Sequence, residues 1–251
     1  MIRSALLVTL GAAITAFLSF ECVIFSFFSN AANNIHKTAN IWAKILLFIC
    51  DIKVQIIGRE NILRGKPQIF MANNQSDFDI LIALAKIPCQ FRWLAKKELF
   101  QIPIFGAAMK GAGYIEIDIK DKKKAMRSLD QAALRLREGK SIMAFPEGTR
   151  SRLGEIKSFK QGTFYLAINS GFPIVPISII GSGEIMPKRS LKIKPGRIKL
   201  VIDKPIDVNN FTLENRRELI TVVRNTIIKN YDNFRAEGDK SIRDMEKDIR
   251  H

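Results

Sequence analysis

The chain is poor in the residues on which most catalytic and metal sites draw. It has two histidines in 251 residues, His36 in a polar linker and His251 at the last position, so neither is a credible catalytic base on position alone. Its three cysteines, Cys22, Cys50 and Cys89, are widely spaced, and each lies in or beside apolar sequence. That spacing excludes a zinc ligand set or a disulfide framework, so no metal site is expected. Reduced thiols with core-packing roles suit a cytosol-facing protein. Acid is also scarce: 24 Asp and Glu stand against 40 Lys and Arg. The first 50 residues hold only Arg3, Lys37 and Lys44 against Glu21, which leaves 37 basic and 23 acidic residues for the rest. Such an excess predicts an anionic partner: nucleic acid, an acidic membrane or a phosphorylated substrate. No nucleic-acid motif is present, and the aromatics are mostly Phe in apolar runs, so nucleic acid is not expected.

What the chain has is apolar sequence, 47% of it, enough for the core of one ordinary domain. Ala5 to Phe28 is almost uninterrupted apolar, broken by Thr, Ser and the one charge Glu21. As a helix it would extend roughly 36 Å, against a hydrocarbon core of about 30 Å. Ile41 to Ile52 is apolar but too short to span, and Trp42, Lys44 and Asp51 give it an interfacial character. A cleaved signal peptide would use Ser29-Asn30-Ala31 as a weak cleavage site, but the apolar stretch is too long for one. A single transmembrane anchor and a helical hairpin dipping into one leaflet fit better, with a buried core helix as the bland alternative. Residues 1–50 are therefore expected to form a membrane-anchoring helical segment, and residues 51–251 the main domain with a charged C-terminal helix and tail.

From Asp51 onward short apolar runs alternate with helical stretches, the pattern of an α/β fold with a largely parallel sheet. Lys53–Ile57, Ile69–Ala72, Phe91–Ala95, Tyr114–Ile119, Ile142–Phe145, Ile174–Ile180 and Ile198–Ile202 read as strands. Ile80–Ala85, capped by Ser76 or Asp77, reads as a helix, as do Asp121–Glu138, Gly162–Asn169 and Leu213–Tyr231.

Two stretches follow buried-strand signals and carry the polar chemistry: Asn73-Asn74-Gln75-Ser76-Asp77-Phe78-Asp79 and Phe145-Pro146-Glu147-Gly148-Thr149-Arg150-Ser151. Reactive groups in α/β sheets sit past the carboxyl ends of strands, so both are expected to face one crevice. In the second, Gly148 permits close backbone approach to a ligand and Arg150 offers a planar fork for a phosphate. Glu147 is expected to bind hydroxyls or to hold Arg150.

Together with Ala95-Lys96-Lys97-Glu98-Leu99, Phe159-Lys160-Gln161-Gly162 and Val175-Pro176-Ile177, these motifs make residues 50–205 resemble the lysophosphatidic acid acyltransferases. These are the 1-acyl-sn-glycerol-3-phosphate O-acyltransferases. The resemblance implies a mixed, largely parallel sheet flanked by helices. It implies acyl transfer from acyl carrier protein or coenzyme A to the sn-2 hydroxyl of lysophosphatidic acid, without a cofactor. Its substrate-binding positions map to Glu147, Gly148, Thr149 and Arg150, with Lys96 or Lys120 as further phosphate contacts. It also implies an anionic membrane as partner, with the catalytic domain on the cytoplasmic side of the cell membrane.

Two departures matter. The family's second motif ends Ile-Asp-Arg, whereas here Ile117-Asp118 is followed by Ile119, and Lys120 comes one position late. Its first motif is Asn-His, four residues, Asp; here Asn73 and Asp79 are kept but Asn74 stands where the His belongs. An amide has no titratable proton near neutrality, so Asn74 cannot be the general base that Asp79 would orient. The chain is therefore expected to be inactive or impaired. An introduced inactivating substitution, a natural pseudoenzyme and an enzyme with a displaced base all fit. The first is favoured, because drift would erode several motifs together. A silent lipid-binding homologue and an acyltransferase for another lysolipid are the alternative functions.

Overall fold

The computed structural model describes residues 2–28 and 30–248, with side chains as far as Phe234. His251 and Ser29 of the weak cleavage site lie outside the described residues.

Two long helices, α1 (Ile2–Phe25) and α2 (Ala31–Ile49), form an antiparallel hairpin laid along the rest of the molecule. α1 is held at its start, where Arg3 donates to the carbonyls of Cys50 and Ile193 and Ser4 exchanges hydrogen bonds with Ile193. Near its end it packs on α5 (Phe105–Gly111). Its outer face, Leu6, Leu10, Phe17, Phe20 and Ile24 at helical spacing, is left exposed and apolar. Among the described residues α1 is the one helix long and apolar enough to cross a membrane, by length and composition.

α2 begins ten residues before the apolar run that announces it, so His36 lies in a helix and not in a linker. The reason is that its polar side chains point inward. Asn33 accepts from Arg92, Asn40 donates to the carbonyl of Leu84, and His36 meets the Tyr114 hydroxyl at 3.0 Å. Ile41, Ile45 and Phe48 form its exposed face.

The remaining chain builds a seven-stranded sheet: β1 (Ile52–Ile57), β2 (Ile69–Ala72), β3 (Phe91–Lys96), β4 (Ile115–Ile117), β5 (Ser141–Ala144), β6 (Ile174–Ile180) and β7 (Gly196–Ile202). The order is β1-β7-β6-β2-β5-β3-β4, parallel throughout except where β6 meets β7. β4 is shorter than the run Tyr114–Ile119, since only three residues find partners on the edge of β3.

Alternate residues of the central strands feed two cores. Phe70, Phe91, Trp93 and Met143 pack under α2 and α3 (Phe78–Lys86), while Ile69, Met71, Leu94 and Ile142 pack on the opposite face. That second core is closed by α6 (Lys122–Arg137), α7 (Gly162–Ser170) and α9 (Arg216–Asp248). Two short helices, α4 (Lys97–Phe100) and α8 (Ser182–Ile185), and a 3-10 turn at Arg59–Asn61 complete the described chain.

Candidate active site

β2 and β5 are neighbours in the sheet and run parallel, so the segments that leave their carboxyl ends emerge side by side. Short main-chain bonds stitch them together: Ser151 donates its backbone N–H to the Asn74 carbonyl at 2.8 Å, and its hydroxyl adds a second bond at 3.1 Å. Asn73 is fully buried and serves the sheet, its side-chain amide exchanging two hydrogen bonds with the main chain of Ile179 at 2.7–2.8 Å.

Glu147 is buried and turned away from the open space above the strands. Oε1 accepts the backbone N–H of Asn74 at 2.8 Å and Oε2 that of Lys157 at 2.9 Å. Both oxygens are occupied, so Glu147 fixes the loop of Asn74 rather than reaching a ligand or pairing with Arg150. Burial raises its pKa above the ordinary carboxylate value, against the pull of those two N–H bonds.

Asp79 is also fully buried. Its Oδ2 takes the backbone N–H groups of Gln75 at 2.6 Å and Ser76 at 2.9 Å. Of the two expected caps of α3 it is Ser76 whose hydroxyl accepts the Phe78 N–H at 3.3 Å, while Asp77 makes no side-chain cap. The Oδ1 of Asp79 has no hydrogen-bond partner, and the hydroxyl of Ser182, facing it, is likewise unpaired. Desolvation drives the carboxyl up to about 7, with the nearby Ser182 hydroxyl and the N–H bonds from Ser76 and Gln75 opposing the rise.

A cavity of about 510 Å³ opens over these loops. Its apolar end runs under the helical hairpin, between Leu18, Ile35, Trp42 and Phe105. Its polar end is walled by Asn74, Asp77, Lys96, Gly148, Thr149, Arg150, Lys160 and Lys188. Of the residues singled out in the sequence, Asn74, Gly148, Thr149, Arg150 and Lys96 therefore come together on the cavity wall. Asp79 lies behind Asn74, Glu147 braces the loop, and Lys120 falls outside: it is exposed, donates its backbone N–H to Asp118, and leaves Ile119 on the wall.

Arg150 is ion-paired with Asp77, and its carbonyl accepts from Lys188 at 2.6 Å and Lys157 at 3.3 Å. Three cations thus surround one short segment. Lys188 has its pKa lowered by desolvation first and then by the like charges of Lys157 and Arg189. Nothing near Lys157 marked it as part of this cluster in the sequence; only the return of the chain to Glu147 brings it there.

His36 supplies no displaced base. Its ring is buried against Phe91 and Tyr114, is absent from the cavity wall, and is pushed down to about 3 by desolvation and then by Arg92. Among the described residues no group of His, Cys, Asp or Glu is arranged to hold a metal.

A family model described as "Acyltransferase" matches residues 53–180. The chain is 37% identical over 175 residues to the chloroplastic 1-acyl-sn-glycerol-3-phosphate acyltransferase of Arabidopsis thaliana, covering 68% of this chain and 48% of that protein. It thus spans about half the length of that relative. It is 30% identical over 186 residues to the 1-acyl-sn-glycerol-3-phosphate acyltransferase of Borreliella burgdorferi, covering 74% of each. The crystal structure of the 1-acyl-sn-glycerophosphate (LPA) acyltransferase PlsC from Thermotoga maritima superposes with a TM-score of 0.80 at 26% identity, over 94% of this chain and 95% of that one. With residues 53–180 matched by the family model and the Borreliella relative covered over 74% of its length at 30% identity, the chain belongs to the 1-acyl-sn-glycerol-3-phosphate acyltransferases of the acyltransferase family.

Proposed function

We propose that this scaffold transfers a fatty acyl group from an acyl thioester to the sn-2 hydroxyl of lysophosphatidic acid, and that Asn74 leaves the chain as it stands inactive or strongly impaired. The observation that carries the reading is the amphipathic cavity, apolar beneath the hairpin and cationic at Lys96, Arg150, Lys160 and Lys188. A lysophospholipid has the same polarity from end to end. Arg150 would exchange its exposed partner Asp77 for the substrate phosphate, with Lys96 and Lys188 in support. A charge-assisted contact of this kind is worth about 1.5–3 kcal/mol.

In the parent reaction a His at position 74 takes the proton of the sn-2 hydroxyl as its oxygen bonds to the thioester carbonyl. The carbon–sulfur bond then breaks, and the imidazolium returns the proton to the departing thiolate. Asp79 Oδ1, orphaned here, is the acceptor such an imidazole would use for its other N–H. The thioester is already activated, so this scheme uses no cofactor. Acyl carrier protein, an acidic partner for the basic surface, and coenzyme A are both suitable donors. The outward apolar face of α1 and α2 supports attachment to the cell membrane, and three free cysteines suit a cytoplasmic orientation.

The test is phosphatidic acid formation from lysophosphatidic acid and an acyl thioester by the chain and its Asn74→His variant. Turnover gained by the His variant is expected. If that variant binds lysophosphatidic acid yet forms no product, the enzyme reading fails. That outcome would support the second reading, which Asn74 favours: a silent lipid-binding homologue.

A further inference from the structure

Behind the apolar end of the active-site cavity, on the other side of Ile35 and Ala112 and away from Arg150, lies a second recess of about 370 Å³. Its wall is made by the first residues of α2, Asn30 to Asn33, by Arg92 and Gly113, and by Arg135, Glu138 and Lys140 at the end of α6. Arg92 opens β3, whereas Lys96, on the wall of the first cavity, closes it.

Arg92 is the unusual member. It is 2% exposed, yet its guanidinium meets only neutral acceptors: Asn33 Oδ1 at 2.6 Å, Gln90 Oε1 at 3.0 Å and the carbonyl of Phe91 at 3.0 Å. No carboxylate pairs with it among the described residues. The one acid on the wall, Glu138, is engaged by Arg135 at 2.8 Å. The recess therefore holds three cations against one anion, and a buried cation without a counter-charge is costly unless something anionic completes it. The positive end of α2 adds to the same field, and no side chain caps it. Beside the recess, Phe27 and Phe28 at the tip of the hairpin are 85% and 63% exposed.

We propose that this recess is a second anion site, built for a phosphate group, and that the adjoining apolar tip assigns it to the headgroup of an anionic phospholipid. The phosphate would sit between Arg92, Lys140 and the start of α2 while the acyl chains lie along Phe27 and Phe28. The site would fix the tip of the hairpin in the bilayer surface at a point remote from catalysis. It rests on the membrane attachment proposed above but not on turnover.

The test is calorimetric titration of the full chain with dihexanoyl phosphatidylglycerol, kept below its micellar concentration, in an Arg150→Gln background that weakens the cleft. Arg135→Gln with Lys140→Gln, both at partly or fully exposed positions that spare the fold, is expected to weaken the remaining saturable binding about tenfold or more. Binding that is unchanged by this pair overturns the proposal, as does the absence of saturable binding before it is introduced. Inorganic phosphate titrated alone is expected to bind much more weakly. Phosphate that binds as tightly as the phospholipid, and is lost with the same pair, overturns the headgroup assignment in favour of a free anion. Flotation of the unaltered chain with phosphatidylglycerol vesicles separates a failure of membrane attachment from a failure of this site.

Discussion

Asp79 and Glu147 are two buried carboxylates placed just beyond the ends of neighbouring strands, and they are solvated in opposite ways. Glu147 has a main-chain N–H on each oxygen and joins the Asn74 loop to the Lys157 loop. Asp79 has both of its N–H partners on Oδ2 and nothing on Oδ1. The first is a finished structural joint. The second is a joint with one partner missing, and position 74 is where the family carries an imidazole. Burial of a half-satisfied carboxyl disfavours its charged form, which is the physical cause of the rise of Asp79 to about 7.

The largest test of this contrast is Asn74→His. It restores a base and gives Asp79 Oδ1 a donor, and product formation is expected to rise by about 10²–10⁴ in a radiolabelled or mass-spectrometric acyl-transfer assay. A rise of that size with Glu147→Gln already present would break the contrast, because the loop carrying residue 74 would then not need its brace.

In the Asn74→His background, Arg150→Gln is expected to weaken lysophosphatidic acid binding by roughly 10- to 100-fold, read as KM or by direct titration. Lys188→Gln should cost less, since its ammonium is an adjustable point charge and Lys157 remains beside it. Equal losses from the two would mean that the cluster acts only through its summed charge.

Glu147→Gln keeps the size of the side chain but turns one acceptor into an NH₂ facing a backbone N–H. It is expected to destabilise the fold by about 2–3 kcal/mol in urea denaturation. Asp79→Asn should behave differently, and its effect should depend on pH. The folded carboxyl titrates near 7 and an unfolded one near 3.8, so the folded state holds the extra proton between these values. Its stability contribution is complete below about pH 4 and falls as pH rises towards 7, by up to about 4 kcal/mol in total. Asp79→Asn removes that slope and should leave the variant the more stable one at pH 8. A wild-type stability that stays flat from pH 4 to pH 7 would show that Oδ1 is satisfied after all.

The contrast between the carboxylates could not be read from the sequence. Strand runs such as Ile69–Ala72 and Ile174–Ile180 are legible because both faces of a central parallel strand are buried, leaving an unbroken apolar signal. The two motifs are legible as sites because they follow such strands. Whether Glu147 faces a ligand or the main chain depends on where Lys157 returns, ten residues later, and no local pattern encodes that. α2 failed to announce its full length for a related reason. Asn33, His36 and Asn40 look like loop residues but form the inward face of a helix that buries hydrogen bonds. Lys120 was misplaced by a single residue, enough at a strand end to put Ile119 on the cavity wall instead.

The smallest expected effect concerns α9, which the sequence marks only as an amphipathic helix. Tyr231, 2% exposed, donates its hydroxyl hydrogen to Gln75 Oε1 at 3.0 Å, while Gln75 Nε2 donates to the carbonyls of Arg152 and Glu155. About two turns earlier, Arg224 donates to the carbonyls of Ile156 and Lys157. The C-terminal helix thus grips both loops from behind, on the side where Gln75 and Asp79 sit. Tyr231→Phe keeps the ring and removes only the hydroxyl, so about 1 kcal/mol of stability should be lost in urea denaturation. If α9 positions residue 74 through Gln75, the same change in the Asn74→His background should lower kcat severalfold while KM for lysophosphatidic acid stays fixed, because Arg150 is untouched. A stability loss with no change in kcat would confine Tyr231 to packing and leave the bracing of the loop to Glu147 and Ser151.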